Sequence, residues 1–351
     1  VSAPVTGRVM RTRRERLSLR VHGRSVVVCA GLAAVLFAVV VGTLTSGDFE
    51  LSVPEVLGAL AGQGEGGADF IIFTLRLPRL LTALFVGAAL AVSGAILQSL
   101  SGNPLGSPDV IGFTNGSATG ALIVIIALGG GMIETALGAL AGGVVAALLI
   151  YLLAFTGGVQ GFRFILVGIG ISALALSVNS YLITRASLHD AVSAQAWLIG
   201  SVNGRGWEQV TAVGAALAIL LPLGLVYARR LSMLELGDDT ATALGVGVER
   251  SRFVLIVVSV LLAAIATAAA GPIWFVALAA PQLARRLTHG TGPGLVPSAL
   301  MGALLLAAGD LAVQRLFPTS QLPVGTATGC LGGLYLIWLL ASEWRGKGSY
   351  T

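Results

Sequence analysis

Ten stretches of apolar residues, most of them close to twenty residues long, recur along the 351-residue chain. They fall at about 25–44, 78–100, 111–128, 133–155, 164–183, 210–227, 253–270, 272–287, 295–313 and 323–340. A helix needs about 20 apolar residues to cross the hydrocarbon core of a bilayer. Inside lipid, its backbone polar groups must bond within the segment. The repeat therefore predicts an all-α polytopic membrane protein of about ten transmembrane helices. Only 11% of the residues are charged, against about 25% in soluble domains, which is too few to coat a globule of this size. The eighth run is short and opens at Gly271-Pro272, which predicts a bent or partial span. The first run is longer than the apolar core of a usual signal peptide and lacks a small-x-small cleavage pattern before Asp48, so it is read as a span.

Charge placement gives a topology. With the N-terminus inside and ten alternating spans, the inside receives a basic arm (Arg8, Arg11, Arg13, Arg14, Arg16, Arg20 and Arg24). It also receives Arg163, Arg229, Arg230, Arg250, Arg252, Arg285, Arg286, Arg345 and Lys347. The outside receives Arg76, Arg79, Arg185, Arg205 and Arg315. Of the 21 basic residues only these five lie outside, which fits the positive-inside rule. The expected organisation is a cytoplasmic arm at 1–24, one ten-helix transmembrane domain at 25–344 with a long cytoplasmic connection at 228–252, and a cytoplasmic tail at 345–351. The location predicted is a bacterial cytoplasmic membrane with both termini cytoplasmic. An acidic outer loop at 45–75 carries Asp48, Glu50, Glu55, Glu65 and Asp69.

Several chemistries have no support. There is no G-x-x-x-x-G-K-[ST] phosphate loop, no H-E-x-x-H and no serine nucleophile elbow. Three histidines and two cysteines show no metal-ligand spacing, and Cys29 and Cys330 read as small core residues. The net charge of +5 reflects topology and not nucleic-acid binding, because no basic patch is interleaved with aromatics. The 48 glycines sit inside apolar runs, and pairs such as Gly138 with Gly142 and Gly329 with Gly333 predict close helix packing. The expectation is a chain that is no enzyme, binds no cofactor or metal, and leaves any use of ATP and Mg to a partner.

The connection at 228–252 carries the most information. Gly237 predicts a break between two short helices. Asp238 and Asp239 then occupy the first turn of the second, where the helix dipole favours negative charge. Ala241 and Leu244 are three apart on one helical face. A short helix with an apolar edge suits a groove on another protein, or else it is an amphipathic connector lying on the membrane surface. Asp310 is the one carboxylate well inside a predicted span. An intramembrane acid raises the possibility of a proton relay, but the nearby Arg315 favours pairing near the outer interface. Asn103-Pro104 to Pro108 predicts a turn that stops a helix.

These segments, taken in order, resemble the permeases of ferric-siderophore and cobalamin ABC importers. The family pattern near L-x-x-L-x-L-G-[ED]-x-x-A-x-x-L-G matches Leu231 to Gly245. The other matches are Leu75-Arg76-Leu77-Pro78-Arg79, Gly87 to Gly94 with Gln98, and Asn103 to Gly112. Trp197 to Ser201 before Trp207, Gly271 to Leu278 with Pro281 and Arg285-Arg286, and Leu322-Pro323-Val324-Gly325 complete the set. The resemblance spans about 48–340 and implies a type II ABC importer permease. It implies that Leu234, Leu236, Gly237, Asp238, Asp239, Ala241, Leu244 and Gly245 couple to a cytoplasmic ABC ATPase dimer. Arg76 and Arg79 would dock glutamates of an extracytoplasmic substrate-binding protein. Arg315 would join them, one position from where the family arginine is expected, a place held here by Gln314. A second permease copy or paralogue would complete the pathway, whose gate residues are unassigned.

The chain departs from the family at Gln282 (commonly His), at Ala277 (commonly Gly), at Thr242 in the coupling loop and at Gly333-Leu334-Tyr335-Leu336 in the tenth span. The implied cargo is a ferric siderophore, with cobalamin or haem as alternatives. An ion-coupled secondary transporter centred on Asp310 and a non-transporting membrane scaffold are the competing classes.

Overall fold

The computed structural model describes residues 8–11, 18–21, 23–47, 49–64, 66–155, 161–290, 292–317 and 322–347. Most of the predicted basic arm, Asp48 and Glu65 of the acidic loop, and residues 348–351 of the tail lie outside that set. A two-stranded antiparallel hairpin, β1 (Arg8–Arg11) and β2 (Ser18–Val21), precedes the helices. In chain order these are α1 (Gly23–Thr45), α2 (Val53–Leu60), α3 (Ala68–Ser101), α4 (Pro108–Ile111), α5 (Phe113–Leu128), α6 (Met132–Ala154) and α7 (Gly161–Arg185). There follow α8 (Leu188–Ile199), α9 (Trp207–Leu234), α10 (Asp238–Ala243), α11 (Val248–Ala270), α12 (Val276–Thr288), α13 (Leu295–Leu316) and α14 (Val324–Lys347).

Each predicted apolar run coincides with a helix: α1, α3, α5, α6, α7, α9, α11, α12, α13 and α14. Among the described residues seven of them, α1, α3, α6, α7, α9, α11 and α13, are long and apolar enough to cross a membrane unaided. The eighth run is partial as expected. Helix α12 has 13 residues, a length of about 20 Å, short of the roughly 30 Å hydrocarbon core. Non-helical residues 271–275 lead into it, with Phe275 in the left-handed region at φ 70°. Gly271, Pro272 and Ile273 are buried in the protein, the condition under which irregular backbone is tolerated at membrane depth.

Two boundaries differ from expectation for local reasons. Helix α3 starts at Ala68, ten residues before the predicted Pro78, because residues Ile71–Arg76 form a π-helical turn in which Leu77 N–H reaches the carbonyl of Ile72. That wider turn accommodates the proline ring without breaking the helix. Helix α9 continues to Leu234, so a long helix, and not a separate short one, precedes the Gly237 break. Helices α2 and α8, unexpected as helices, carry their own start signals. Ser52 and Glu55 form a capping box on α2, and Ser187 caps α8 through Asp190 N–H, as such spacings do.

Helix α3 runs through the middle of the bundle and packs against α13, α11, α9 and α12. Small residues make this possible. A Cβ on Gly87 would sit 2.3 Å from the carbonyl oxygen of Gly302 on α13, and one on Gly302 would sit 2.2 Å from that of Gly87. A Cβ on Gly94 would lie 1.8 Å from the carbonyl oxygen of Ala277 on α12. Gly138 and Gly142 behave as predicted, each in close contact with Gly120 or Gly116 across the α5–α6 crossing. Gly329 and Gly333 do not: among the described residues neither has an atom within 4 Å of its Cβ position, so they mediate no packing against those residues. Nor does Cys330 serve as a core residue. It is exposed, while Cys29 is half-buried.

Replacing Gly94 with Ala should lower the stability of the purified protein by at least about 1–3 kcal/mol, the range for overpacking. Gly329→Ala should leave it within about 0.5 kcal/mol. Thermal unfolding in detergent or nanodiscs measures both.

Candidate functional site: the two polar ends of the bundle

The arginine end is assembled by the starts of α3 and α9 and the ends of α1 and α13. The π turn turns Arg76 back towards α1, where its Nη1 donates to the carbonyl of Leu44 (2.5 Å) and its Nη2 to that of Phe49. Arg79 lies one turn further along. Its Nε and Nη2 donate to the two carboxylate oxygens of Asp310 at 2.9 and 2.8 Å, a bidentate pair, and Nη1 reaches Asn203 Oδ1 at 3.2 Å. Asp310 is 2% exposed and also accepts from Gln314 Nε2 at 2.7 Å. The expected partner of Asp310 was Arg315. The structure corrects this: Arg315 is exposed and donates to Ser46 Oγ. Arg79 sits on the facing helix with its planar fork aligned to the carboxylate, the geometry that favours arginine–carboxylate pairing.

A cavity of about 460 Å³ opens at this end, with Arg76, Arg79, Arg205, Asn203, Phe49 and Gln314 among its lining residues. Arg205 had no assigned role in the sequence beyond its place on the less basic face. It stands in the 200–206 connection, where Nε donates to the carbonyl of Ser201 at 3.1 Å. Burial pulls its pKa below the usual guanidinium value.

Beside this cavity three glycine-bearing motifs, far apart in sequence, meet. Gly325 N–H donates to the carbonyl of Gly200 (3.1 Å) and Ser201 N–H to that of Ala270 (2.7 Å). A Cβ on Gly325 would lie 1.8 Å from the carbonyl oxygen of Ile199, and one on Gly200 would lie 2.2 Å from that of Pro272. The Trp197–Ser201, Gly271–Leu278 and Leu322–Gly325 segments are thus one backbone junction. Trp207 Nε1 donates to the carbonyl of Phe73 (2.9 Å) and ties α9 to the π turn.

The opposite end carries the 228–252 connection. Gly237 adopts φ 97°, a conformation that glycine alone adopts readily, and α10 begins at Asp238. Asp238 and Asp239 occupy its first turn as predicted. Asp238 accepts from Arg252 Nη2 at 2.6 Å, which fastens α10 to α11. Ala241 is not on an outer edge: it is 0% exposed, and Leu234 is buried too. These two seat the connection on the bundle. The residues facing outward are Leu236 at 63% and Leu244 at 56% exposure, with Asp239, Thr240, Thr242 and Gly245 around them. Periodicity alone pairs Ala241 with Leu244. The turn that ends α10 at Ala243 and Leu244 separates them.

Next to this loop, Glu235 pairs with Arg285 of α12 at 3.4 Å, and the same guanidinium donates to Ser99 Oγ of α3 at 2.5 Å. Gln98 Nε2 donates to the carbonyl of Leu278 (3.1 Å) and Gln98 Oε1 accepts from Gln282 Nε2 (2.7 Å). Gln282, a departure from the family pattern, therefore retains a structural place between α12 and α3. In the turn at 103–112, Asp109 is buried and accepts from Thr114 Oγ1 (2.8 Å) and from the Phe275 backbone, which binds that turn to the break before α12. Among the described residues no cluster of His, Cys, Asp and Glu has the makings of a metal site.

Removing one partner of a buried pair leaves the other charge uncompensated. Asp310→Ala should cost about 3–5 kcal/mol. The double variant Arg79→Ala/Asp310→Ala should lose less than the sum of the single changes, as measured by thermal or denaturant unfolding.

Residues 34–342 match the FecCD transport family. The chain is 45% identical over 327 residues to the ferric enterobactin transport system permease protein FepG of Escherichia coli (strain K12), covering 93% of this chain and 99% of that protein. It is 37% identical to the iron(3+)-hydroxamate import system permease protein FhuG of Bacillus subtilis (strain 168), covering 85% of this chain and 91% of that one. Among solved structures, a transporter of the metal-chelate ABC type in an inward-facing conformation superposes with a TM-score of 0.81 at 30% identity, over 90% of this chain and 99% of that one. With a bundle of this architecture and a match spanning most of its length, the chain belongs to the FecCD transport family.

Proposed function

We propose that the chain is the membrane permease subunit of an ATP-binding-cassette importer that carries iron–siderophore complexes across a bacterial cytoplasmic membrane. As a permease subunit it is not an enzyme. In this scheme ATP and Mg are used by a cytoplasmic ATPase dimer, and this chain binds neither. Its termini and the Leu236–Leu244 loop are cytoplasmic, and the arginine end is extracytoplasmic, the orientation in which five of the 21 basic residues are left outside. A second permease copy or paralogue forms the other wall of the pathway, and an extracytoplasmic binding protein delivers cargo to the arginine end. The iron travels chelated, so the protein needs no metal ligands of its own.

The observation that carries this proposal is the shape of the cytoplasmic loop. Leu236 and Leu244 project from a connection that is otherwise seated by Leu234 and Ala241 and clamped by Asp238 to Arg252. Two large apolar side chains held rigidly outward suit a groove in a partner protein. Motion imposed on this loop has two stiff exits. One runs through Arg252 into α11, and the other through Glu235 and Arg285 into α12 and α3. Helices α11 and α12 lead back to the Gly200–Gly271–Gly325 junction at the other end, so the loop and the outer mouth are linked by a rigid-body tilt of packed helices.

An iron–siderophore cargo is favoured over cobalamin or haem because FepG and FhuG are, by name, ferric enterobactin and iron(3+)-hydroxamate permeases. An ion-coupled transporter has weaker support. Such a mechanism needs an ionisable group free to exchange its ion, and Asp310 is held by Arg79 and Gln314.

Leu236→Asp/Leu244→Asp should abolish co-purification of the ATPase and cut uptake of radiolabelled ferric siderophore at least about tenfold, while the membrane level of the permease stays unchanged. Full ATPase attachment and full uptake by that variant would refute the coupling role.

A further inference from the structure

Among the described residues only two other than glycine take a left-handed backbone, and they bracket α12: Phe275 at φ 70° before it and His289 at φ 48° after it. His289 stands where helices commonly end in that conformation. Phe275 stands at a helix start, and the left-handed well is disfavoured for an aromatic residue. Strain of this kind persists where the surroundings over-determine it, and it gathers at switch regions. Three contacts hold Phe275 here. The buried carboxylate of Asp109 accepts from the Phe275 backbone and, through Oδ1, from Thr114 Oγ1. The Phe275 carbonyl accepts from the N–H groups of Leu278 and Ala279 at 3.1 and 2.7 Å, the first bonds of α12. The Phe275 side chain fills the space where a Cβ on Gly332 of α14 would stand.

Phe275 is also where the break before α12 can bend. Upstream, Gly271 and Pro272 are packed against Gly200, and the carbonyl of Ala270 is bonded to Ser201. Just downstream, the carbonyl of Ala277 lies against Gly94 of α3, and that of Leu278 accepts from Gln98 Nε2 at 3.1 Å. The start of α12 can therefore turn on α3 but not leave it. Arg285, about 15 Å further along the helix, takes the push from Glu235. Helix α12 is thus a lever, with the cytoplasmic loop at one end and a strained pivot at the other. Hinges of this kind are a few residues at the end of an element that absorb a backbone change.

We propose that Asp109 is a positioning residue of the transport cycle, whose carboxylate latches the Phe275 pivot and passes the swing of α12 to α7 and α14. This rests on the coupling role proposed above and extends it into the bundle. The route to α14 is the contact of Phe275 with Gly332. The route to α7 runs through the turn to which Asp109 belongs. There the carbonyl of Ile111 leaves no room for a side chain on Gly168, and Gly112 lies against Ser172. With the Asp109 bond in place, the pivot, the turn and both helices move as one body. Without it, Phe275 falls into the ordinary backbone wells, and the swing of α12 is absorbed at the pivot.

The test uses proteoliposomes that hold the assembled permease–ATPase complex, with its binding protein and ATP. Radiolabelled ferric enterobactin and an iron(3+) hydroxamate are offered in parallel. The quantity measured is ATP hydrolysed per iron imported, a ratio that a smaller amount of folded complex leaves unchanged. Asp109→Ala should raise it about threefold to thirtyfold, the span of coupling effects from residues remote from the ligands. Asp109→Asn, whose amide oxygen still accepts, should raise it less. Glycine takes the left-handed conformation without the steric cost, so either Asp109 change should raise the ratio less in a Phe275→Gly background than in wild type. ATPase attachment and elution volume at wild-type values report assembly. If Asp109→Ala does not assemble, Asp109→Asn in the two backgrounds decides. A wild-type ratio in the Asp109 variants, or equal increments in both backgrounds, would overturn the latch and leave the importer assignment standing. No ATP-dependent uptake of either chelate by the parent complex would overturn the proposed function, and the latch with it.

Discussion

Everything at both ends of this bundle is positioned by the approach of α3 to α12 and α13. In lipid there is little hydrophobic gain from pressing one apolar helix onto another, so close packing of small residues has to hold them. Gly87, Gly94 and Gly302 bring backbones to distances that no larger residue permits. With α3 fixed in this way, its first turns present Arg76 and Arg79 at one end, and its last turns present Gln98 and Ser99 to α12 at the other. One rigid element thus spans from the cationic cavity to the neighbourhood of the Leu236–Leu244 loop.

Polar groups follow a division of labour. The buried pair Arg79–Asp310, with Gln314 and Asn203, satisfies charges that the membrane setting would otherwise punish, and locks α3 to α13. The pairs Asp238–Arg252 and Glu235–Arg285 sit at the other rim and are more exposed. Their value is geometric more than energetic, since ion pairs at a wet surface add little stability. What they do is fix the direction in which a push on the connection enters α11 and α12. Asp109 plays a comparable part in the interior, where its carboxylate joins the 103–112 turn to the break at Phe275.

The helices were legible in the sequence because the bilayer imposes a length and a hydropathy that a single chain displays openly. Even the partial character of α12 followed from Gly271-Pro272. Start points were less legible. Pro78 marks a helix start under ordinary rules, and only the π turn before it lets α3 begin at Ala68. Side-chain partnerships were least legible. Arg315 lies within a turn and a half of Asp310 along one helix, yet the carboxylate turns to Arg79, which lies 231 positions away in sequence. Ala241 matched the apolar pattern of the loop but serves as its anchor, and the outward face falls to Leu236 and Leu244. Arg205 carried no motif, and its place in the cavity wall is set by the 200–206 connection, which periodicity does not encode. The pair Gly329 and Gly333 carried the same spacing as Gly138 and Gly142 but meets no other described residue. The spacing specifies a smooth face and not what covers it.

The proposed mechanism assigns the energy source to a partner and the pathway to tilting helices, with no proton or ion passing through Asp310. Proteoliposomes that contain the permease and its ATPase, with binding protein and radiolabelled ferric siderophore supplied on its side of the membrane, test that assignment directly. The account predicts that iron accumulates when ATP is present on the ATPase side, at an undiminished rate with the proton and sodium gradients collapsed. Accumulation driven by an imposed gradient in the absence of ATP would contradict it.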